Sequence, residues 1–368
     1  MKIVVVGLRG FPNIQGGIET HCEELYPRIV RFGEEVIVVR RTGFIKENPV
    51  RTSYKGVKFK DINSPFITGL EAAIHTLKGI WFAKRIHADI VHIHAIGPSI
   101  AIPLAKVLGL KIVMTHHGPD YDREKWGFFA RFILKLGERF AAWWADEIIS
   151  ISTVISDILK KKYHRTKNVH LIYNGVTTFP VTNSTEYLNH LGIESNKYIL
   201  AVGRFVPEKR FDRLIKAYIK LNRSGYKLVI AGSSDYESSY CCSLKDFALE
   251  NEVIMPGIVK GEKLYELYSH AALFVLPSSH EGLPITLLEA MSCKRKVLAS
   301  DIPANKAVGL PDENYFKTND LNDLIAHMQS LLDRAPKSQQ YDLTKYNWDC
   351  IAKQINKIYL KYDKSCKL

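Results

Sequence analysis

Short runs of β-branched residues recur along this chain with helical stretches between them, and this alternation limits the fold more than any other feature. Lys2 to Val6 is a continuous apolar run of the kind that makes a buried parallel strand; a loop rich in Gly and Pro follows from Gly7 to Gly17 before a helical pattern begins. The pattern repeats with a strand at 35–40, a helix around 70–87, the run ADIVHIHAI, a further helix, KIVMTHHGPDY and ADEIISIS. KYILAVGRF, KLVIAGSS and LFVLPSS carry it through the second half. Strand after helix after strand predicts an α/β chain with doubly wound parallel sheets. At 368 residues the chain exceeds what one core usually grows to, so two domains are expected. The polar stretch VTTFPVTNSTEYLNHLG marks their boundary, giving residues 1–180, residues 181–345 and a C-terminal segment, 346–368. In that last segment Trp348, Ile351, Ile355 and Ile358 share one face of an amphipathic helix.

Several function classes fall away on inspection. GLRGFPNIQGG lacks G-x-G-x-x-G spacing, and the second strand ends in Arg40 and Arg41 where a ribose-binding acid would stand, so a nicotinamide enzyme is disfavoured. No apolar run reaches the roughly 18 residues of a spanning helix, and the first strand is too short for a signal peptide, which predicts a cytoplasmic protein. Six scattered cysteines without a C-x-x-C pair fit reduced thiols. Most of the formal charge of +13 lies before Pro180, which favours an acidic substrate or an anionic membrane. Nucleic acid is the weakest partner, since no base-reading basic helix, zinc-finger spacing or aromatic RNA-binding strand is present.

Ligands of such sheets bind beyond the carboxyl ends of the strands. His92, His94, His116 and His117 lie near such ends. Two histidines at alternate strand positions face one side and could hold a metal, but no acidic partner with ligand spacing accompanies them, so neither a metal nor another cofactor is expected. Arg204 at a strand end and Lys209 in the following loop would stabilise the charge that develops on a departing phosphate. Residues 278–300 then place Glu281 in a loop, Gly282, Leu283 and Pro284 at a helix start, and Glu289 on the helix. The N–H groups of that helix start favour an anion, and a glutamate on either side suits a ligand with both hydroxyls and phosphates. The bland alternative makes Glu281 a capping carboxylate and Glu289 a solvated residue.

The stretch HEGLPITLLEAM resembles the E-x7-E signature of retaining GT-B glycosyltransferases, particularly glycosyltransferase family 4. The resemblance implies two Rossmann-like domains facing across a cleft, an acceptor-binding first domain, a donor-binding second domain, and a C-terminal helix that crosses back. It implies that Glu281 lies near the donor sugar, that Glu289 binds the ribose hydroxyls, and that Arg204 and Lys209, in a segment like G-R-(x)4-K, grip the donor diphosphate. Gly16 and Gly17 would lie against donor phosphates and sugar, unless they only make a flexible loop. GLRGFPNIQGGIETH is similar to a rhamnosyltransferase-like bacterial subset that begins G-x-R-G-I-P-x-x-x-G-G-x-E-T. His117, in a T-x-H-G segment, would be near the reacting centre, with His116 its competitor.

Arg123, Lys125 and Trp126 match that subset's R-x-K-W-G, and Arg131, Lys135 and Arg139 follow as one basic stripe with aromatics nearby. This face could contact an anionic leaflet or be merely solvated. The implied activity is metal-independent, retaining transfer of a sugar from a nucleotide sugar to a glycan acceptor, with a polyprenyl-diphosphate-linked one expected, in surface polysaccharide assembly at the inner face of the membrane. Two departures stand out: Lys294 and Lys296 replace a glycine and a proline, and Ala307 replaces a further glutamate. They leave open a catalytically silent nucleotide-sugar-binding protein; a nucleotide-sugar epimerase is the other alternative.

Overall fold

A computed structural model describes residues 1–14, 16–45, 47, 49–64, 71–122, 127–176, 181–234, 238–282, 284–335 and 339–363. The chain divides into two compact units, Met1–Gly175 with Lys345–Leu368, and Val176–Thr344.

In the first unit the strands are β1 (Lys2–Val6), β2 (Glu35–Arg41), β3 (Ser53–Tyr54), β4 (Val57–Ile62), β5 (Ile90–His94), β6 (Lys111–His116), β7 (Glu147–Ser150) and β8 (Val169–Leu171). They form one sheet in the order β3-β4-β2-β1-β5-β6-β7-β8, parallel apart from the β3–β4 pair. Helices α1 (Gly17–Val30), α2 (Glu71–Arg85), α3 (Ile102–Val107), α4 (Phe128–Trp144) and α5 (Thr153–Tyr163) connect the strands. The alternation of runs does not predict the short β3–β4 hairpin or the three-residue edge strand β8.

In the second unit α6 (Glu186–His190), α7 (Phe211–Leu221), α8 (Ser239–Glu250), α9 (Glu262–His270), α10 (Ile285–Ser292), α11 (Pro303–Lys306) and α12 (Leu321–Asp333) surround a second sheet. Its strands β9 (Tyr198–Val202), β10 (Lys227–Ala231), β11 (Leu273–Leu276), β12 (Val297–Ser300) and β13 (Tyr315–Phe316) are all parallel, in the order β10-β9-β11-β12-β13. Both units are therefore Rossmann-like. Central strands are buried on both faces, as an all-parallel sheet covered by helices requires.

Strand order locates the ligand ends. Strand order reverses between β1 and β5 in the first sheet and between β9 and β11 in the second, and open α/β sheets take ligands at such reversals, beyond the carboxyl ends. At the first reversal the chains run so close that a Cβ on Gly7, whose φ is +102°, would collide with the carbonyl of His94.

The final helix, α13 (Trp348–Leu360), is capped by the Asn347 side chain and packs on α1. Trp348, Ile351, Ile355, Ile358 and Tyr359 join the core built by β1, β2 and α1. Gly175 makes room for it, since a Cβ there would strike the Trp348 ring.

Candidate functional site

Two clusters stand at these reversals, one in each unit. In the second unit β9 delivers Gly203 and Arg204, and a single 3₁₀ turn, Pro207–Lys209, carries Lys209 before α7 begins. The neighbouring strand β11 delivers Pro277 and Ser278, and Pro284 is the residue immediately before α10. Ser279 ties the two exits together by donating from its N–H (2.8 Å) and its Oγ (3.3 Å) to the carbonyl of Glu208. With the loops held so, Lys209 Nζ donates to Glu281 Oε1 at 2.5 Å, and Ser278 Oγ donates to the same oxygen at 2.6 Å. The two charged side chains are only 15% and 11% exposed. Burial alone would raise the Glu281 carboxyl, but the adjacent ammonium and the two hydrogen bonds outweigh it and hold it below the usual range.

Ser278 is itself fixed from behind. Its carbonyl accepts from Ser300 Oγ at 2.5 Å, and Ser300 Oγ accepts from Asn305 Nδ2 at 2.9 Å. On α10, Glu289 accepts from Tyr268 OH at 2.8 Å, so it is anchored to α9 and is not a free solvated carboxylate. Arg204 and Gly282 are partly buried in the same exit loops, and Leu283 lies outside the described residues.

The loop that departs from the resembled pattern has a structural explanation. Lys294 adopts the left-handed conformation (φ 56°) just past the end of α10, the position where glycine usually ends a helix. Lys296 is buried and its ammonium donates to the carbonyls of Leu331 (2.8 Å) and Arg334 (2.5 Å), closing the C-terminus of α12. Ala307 terminates the short helix α11 and contributes no polar group.

In the first unit, Gly16 precedes α1 and Gly17 opens it. Glu19 on that first turn accepts from the Arg9 backbone N–H (3.1 Å), Nε (3.1 Å) and Nη2 (3.2 Å). A Cβ on Gly16 would collide with the Glu19 carboxylate and the Arg9 guanidinium, whereas one on Gly17 would meet open space. One turn on, His21 reaches His94 and His117, with ring centroids 5.6 and 5.0 Å away. His94 Nδ1 and His117 Nε2 are hydrogen-bonded at 2.9 Å, and His94 Nε2 meets Tyr26 OH at 2.5 Å. His92 is bound to Thr115 Oγ1 (2.7 Å) and to Tyr359 OH of α13 (2.5 Å). Desolvation pushes the pKa of His21 down to about 4, an effect its contact with Asn174 only partly offsets; His92 falls to about 3, and His94 and His117 fall well below the ordinary range. All four rings are neutral at pH 7.

The adjacent histidines at the end of β6, His116 on the strand and His117 just past it, thus separate. His116 Nδ1 accepts from the Gly118 N–H at 3.2 Å, and its Nε2 pairs with buried Glu138 at 3.0 Å. His117 turns to His94 and His21. His21, Tyr26 and Asn174 escaped the sequence reading, because their partners stand far away along the chain and only strand order brings them together.

Among the expected membrane residues, Arg123, Lys125 and Trp126 lie outside the described residues. Arg131, Lys135 and Arg139 are exposed on α4, with Phe128 90%, Phe129 70%, Phe132 55% and Trp143 53% exposed around them. The aromatics are therefore not core. No described helix is long and apolar enough to cross a membrane.

The profile of the family described as Glycosyl transferases group 1 matches residues 183–363, and that of Glycosyltransferase Family 4 matches residues 15–178. An uncharacterized glycosyltransferase of Methanocaldococcus jannaschii is 27% identical, covering 98% of each chain. The O-antigen chain mannosyltransferase RfbU of Salmonella typhimurium is 26% identical over 62% of each chain. The crystal structure of Anabaena HepE in complex with UDP-glucose superposes with a TM-score of 0.75, at 16% identity and 98% coverage of each chain. The chain is a glycosyltransferase of the GT-B fold, its second half of the group 1 type and its first half of the family 4 type.

Proposed function

We propose that the protein transfers a hexosyl group, with retention at the anomeric carbon, from a nucleoside-diphosphate sugar to a glycan hydroxyl. The observation that carries this reading is the convergence of Arg204, Lys209, Ser278 and Glu281 on the exits of β9 and β11, beside the start of α10. In the reaction the bond from C1 of the sugar to the diphosphate oxygen breaks and one from C1 to the acceptor oxygen forms on the same face. The acceptor proton goes to the departing phosphate. Arg204, Lys209 and the N–H groups at the start of α10 stabilise the charge left on the diphosphate. Glu281 and the loop at Gly282 face the sugar, and Glu289 takes the ribose hydroxyls; the resemblance implies that Gly16, Gly17 and His117 also act in the transfer.

Nucleotide-sugar donors are supported by the UDP-glucose bound to HepE, and a polysaccharide acceptor by the O-antigen relative. A rhamnosyl donor rests on the glycine-loop resemblance. The acceptor is proposed to be lipid-linked at an anionic leaflet, because α4 presents exposed Phe128, Phe129, Phe132 and Trp143 together with three cations. Of the three departures that motivate a catalytically silent protein, two have a structural role, since Lys294 ends a helix and Lys296 caps another, whereas Ala307 supplies no substitute for the missing glutamate.

The test is release of nucleoside diphosphate from a panel of UDP, GDP and dTDP sugars, with and without lipid-linked acceptors. Acceptor-dependent release from one donor, abolished by Glu281→Ala, and an unchanged anomeric configuration in the product are expected. Binding without release for every pair would overturn the reading.

A further inference from the structure

His21 Nε2 is a buried imidazole nitrogen with no hydrogen-bond partner among the described residues, on a side chain that is 1% exposed. Leaving such an acceptor unpaired typically costs about 1–3 kcal/mol, so its surroundings call for explanation. Around it, one nitrogen each of His21, His94 and His117 lie within 4.8 Å of one another. We infer that His21, His94 and His117 form a binding site for a divalent first-row transition metal, with zinc the first choice.

Two features beyond proximity support the site. Two of the three outer nitrogens are already engaged: His21 Nδ1 donates to Asn174 Oδ1 at 2.8 Å, and His94 Nε2 meets the Tyr26 hydroxyl at 2.5 Å. Metal-bound histidines use such partners to fix the tautomer whose lone pair faces the ion. The donor set is nitrogen only, which suits zinc, cobalt or nickel and not magnesium or calcium.

The required movement is small. Zn–N bonds of about 2.0–2.1 Å in a tetrahedral site put ligand nitrogens roughly 3.4 Å apart. His94 and His117 are already at 2.9 Å, and exchanging their mutual hydrogen bond for two metal bonds opens them slightly while His21 closes in. Only His117 is partly exposed, so a water, hydroxide or ligand oxygen would reach the ion from its side. The site shares His117 with the proposed transferase machinery but does not rest on that reading.

The experiment is titration of the chelator-stripped full chain with cobalt(II), read by the visible absorption of tetrahedral cobalt, together with the melting temperature in zinc. A saturable 1:1 band, a zinc-dependent rise in melting temperature, and loss of both in His21→Ala are expected. Asn174→Leu keeps all three imidazoles and should weaken binding by about 10- to 100-fold, which reads the site even if His21→Ala folds poorly. No tetrahedral band, or a band unchanged in His21→Ala and Asn174→Leu and thus owed to thiols such as exposed Cys242 and Cys350, would overturn the inference. Neither result depends on sugar transfer.

Discussion

Lys209 Nζ and Glu281 Oε1 are 2.5 Å apart, so the cation from the β9 exit and the carboxylate from the β11 exit neutralise each other across two loops. Each therefore sets the other's properties. Lys209→Met should lower kcat by about 10²- to 10³-fold through loss of one fixed charge. It should also shift the acidic limb of kcat/KM to higher pH, because burial, which raises the Glu281 carboxyl, then acts without the ammonium that opposed it. A drop in rate with an unmoved acidic limb would separate the two roles and discard the second.

The Lys296 ammonium answers the last carbonyls of α12. Lys296→Met leaves them unpaired and is expected to destabilise the second unit by about 1–3 kcal/mol, measurable as a lower urea midpoint. Lys294→Gly should do the reverse, by up to about 1 kcal/mol, because glycine enters the left-handed region without the Cβ penalty. Neither change touches the proposed donor groups, so turnover at saturating substrate should persist in both.

Acid should loosen the first unit in two stages. His21, His75 and His92 have folded pKa values of about 4, about 4 and about 3 against an ordinary 6.5, chiefly through burial. The unfolded chain binds protons that the folded one refuses, so stability falls as pH drops from about 6.5 towards 4. Glu138 adds a lower stage. Burial alone would raise it, yet the hydrogen bond from His116 and those from Lys162 and Tyr163 hold it at about 2, against an ordinary 4.5. Its contribution is complete above pH 4.5 and is lost towards pH 2. Melting temperatures from tryptophan fluorescence between pH 7 and 4.5 should fall, and less steeply in His75→Leu, whose two ring nitrogens have no hydrogen-bond partner among the described residues.

On α4 each cation near an anionic leaflet contributes about 1 kcal/mol, so Lys135→Gln with Arg139→Gln should reduce partitioning onto phosphatidylserine vesicles by roughly 30-fold at low salt. Co-sedimentation unaffected by the pair would remove the membrane from the proposal.

The alternation of apolar runs and helices was enough to read both parallel sheets, because a strand buried on two faces writes a continuous run into the chain. The β3–β4 hairpin was not legible on those terms. Ser53–Tyr54 is only two residues long, and Val57–Ile62 has only Val57 fully buried, so no continuous apolar run signals them. Short-range motifs placed Arg204, Lys209, Glu281 and Glu289 at strand ends and on a helix, but Ser278 and Tyr268, which fix the two glutamates, are ordinary residues with no spacing to announce them. Likewise Lys294 and Lys296 looked like damage to a motif. Their reasons, a backbone angle and two carbonyls from residues 331 and 334, exist only after folding.

The return of α13 to the first unit fixes an order of events during synthesis. Trp348, Ile351, Ile355, Ile358 and Tyr359 complete a core begun by Ile3, Val5 and Leu25, yet the ribosome makes them after the whole of the second unit. The residues that precede the second unit thus wait for packing partners made after it, and the second unit, contiguous from Val176 to Thr344, can be finished first. A nascent chain stalled before residue 348 would expose the apolar face of α1, which makes that interval the one in which a chaperone matters most.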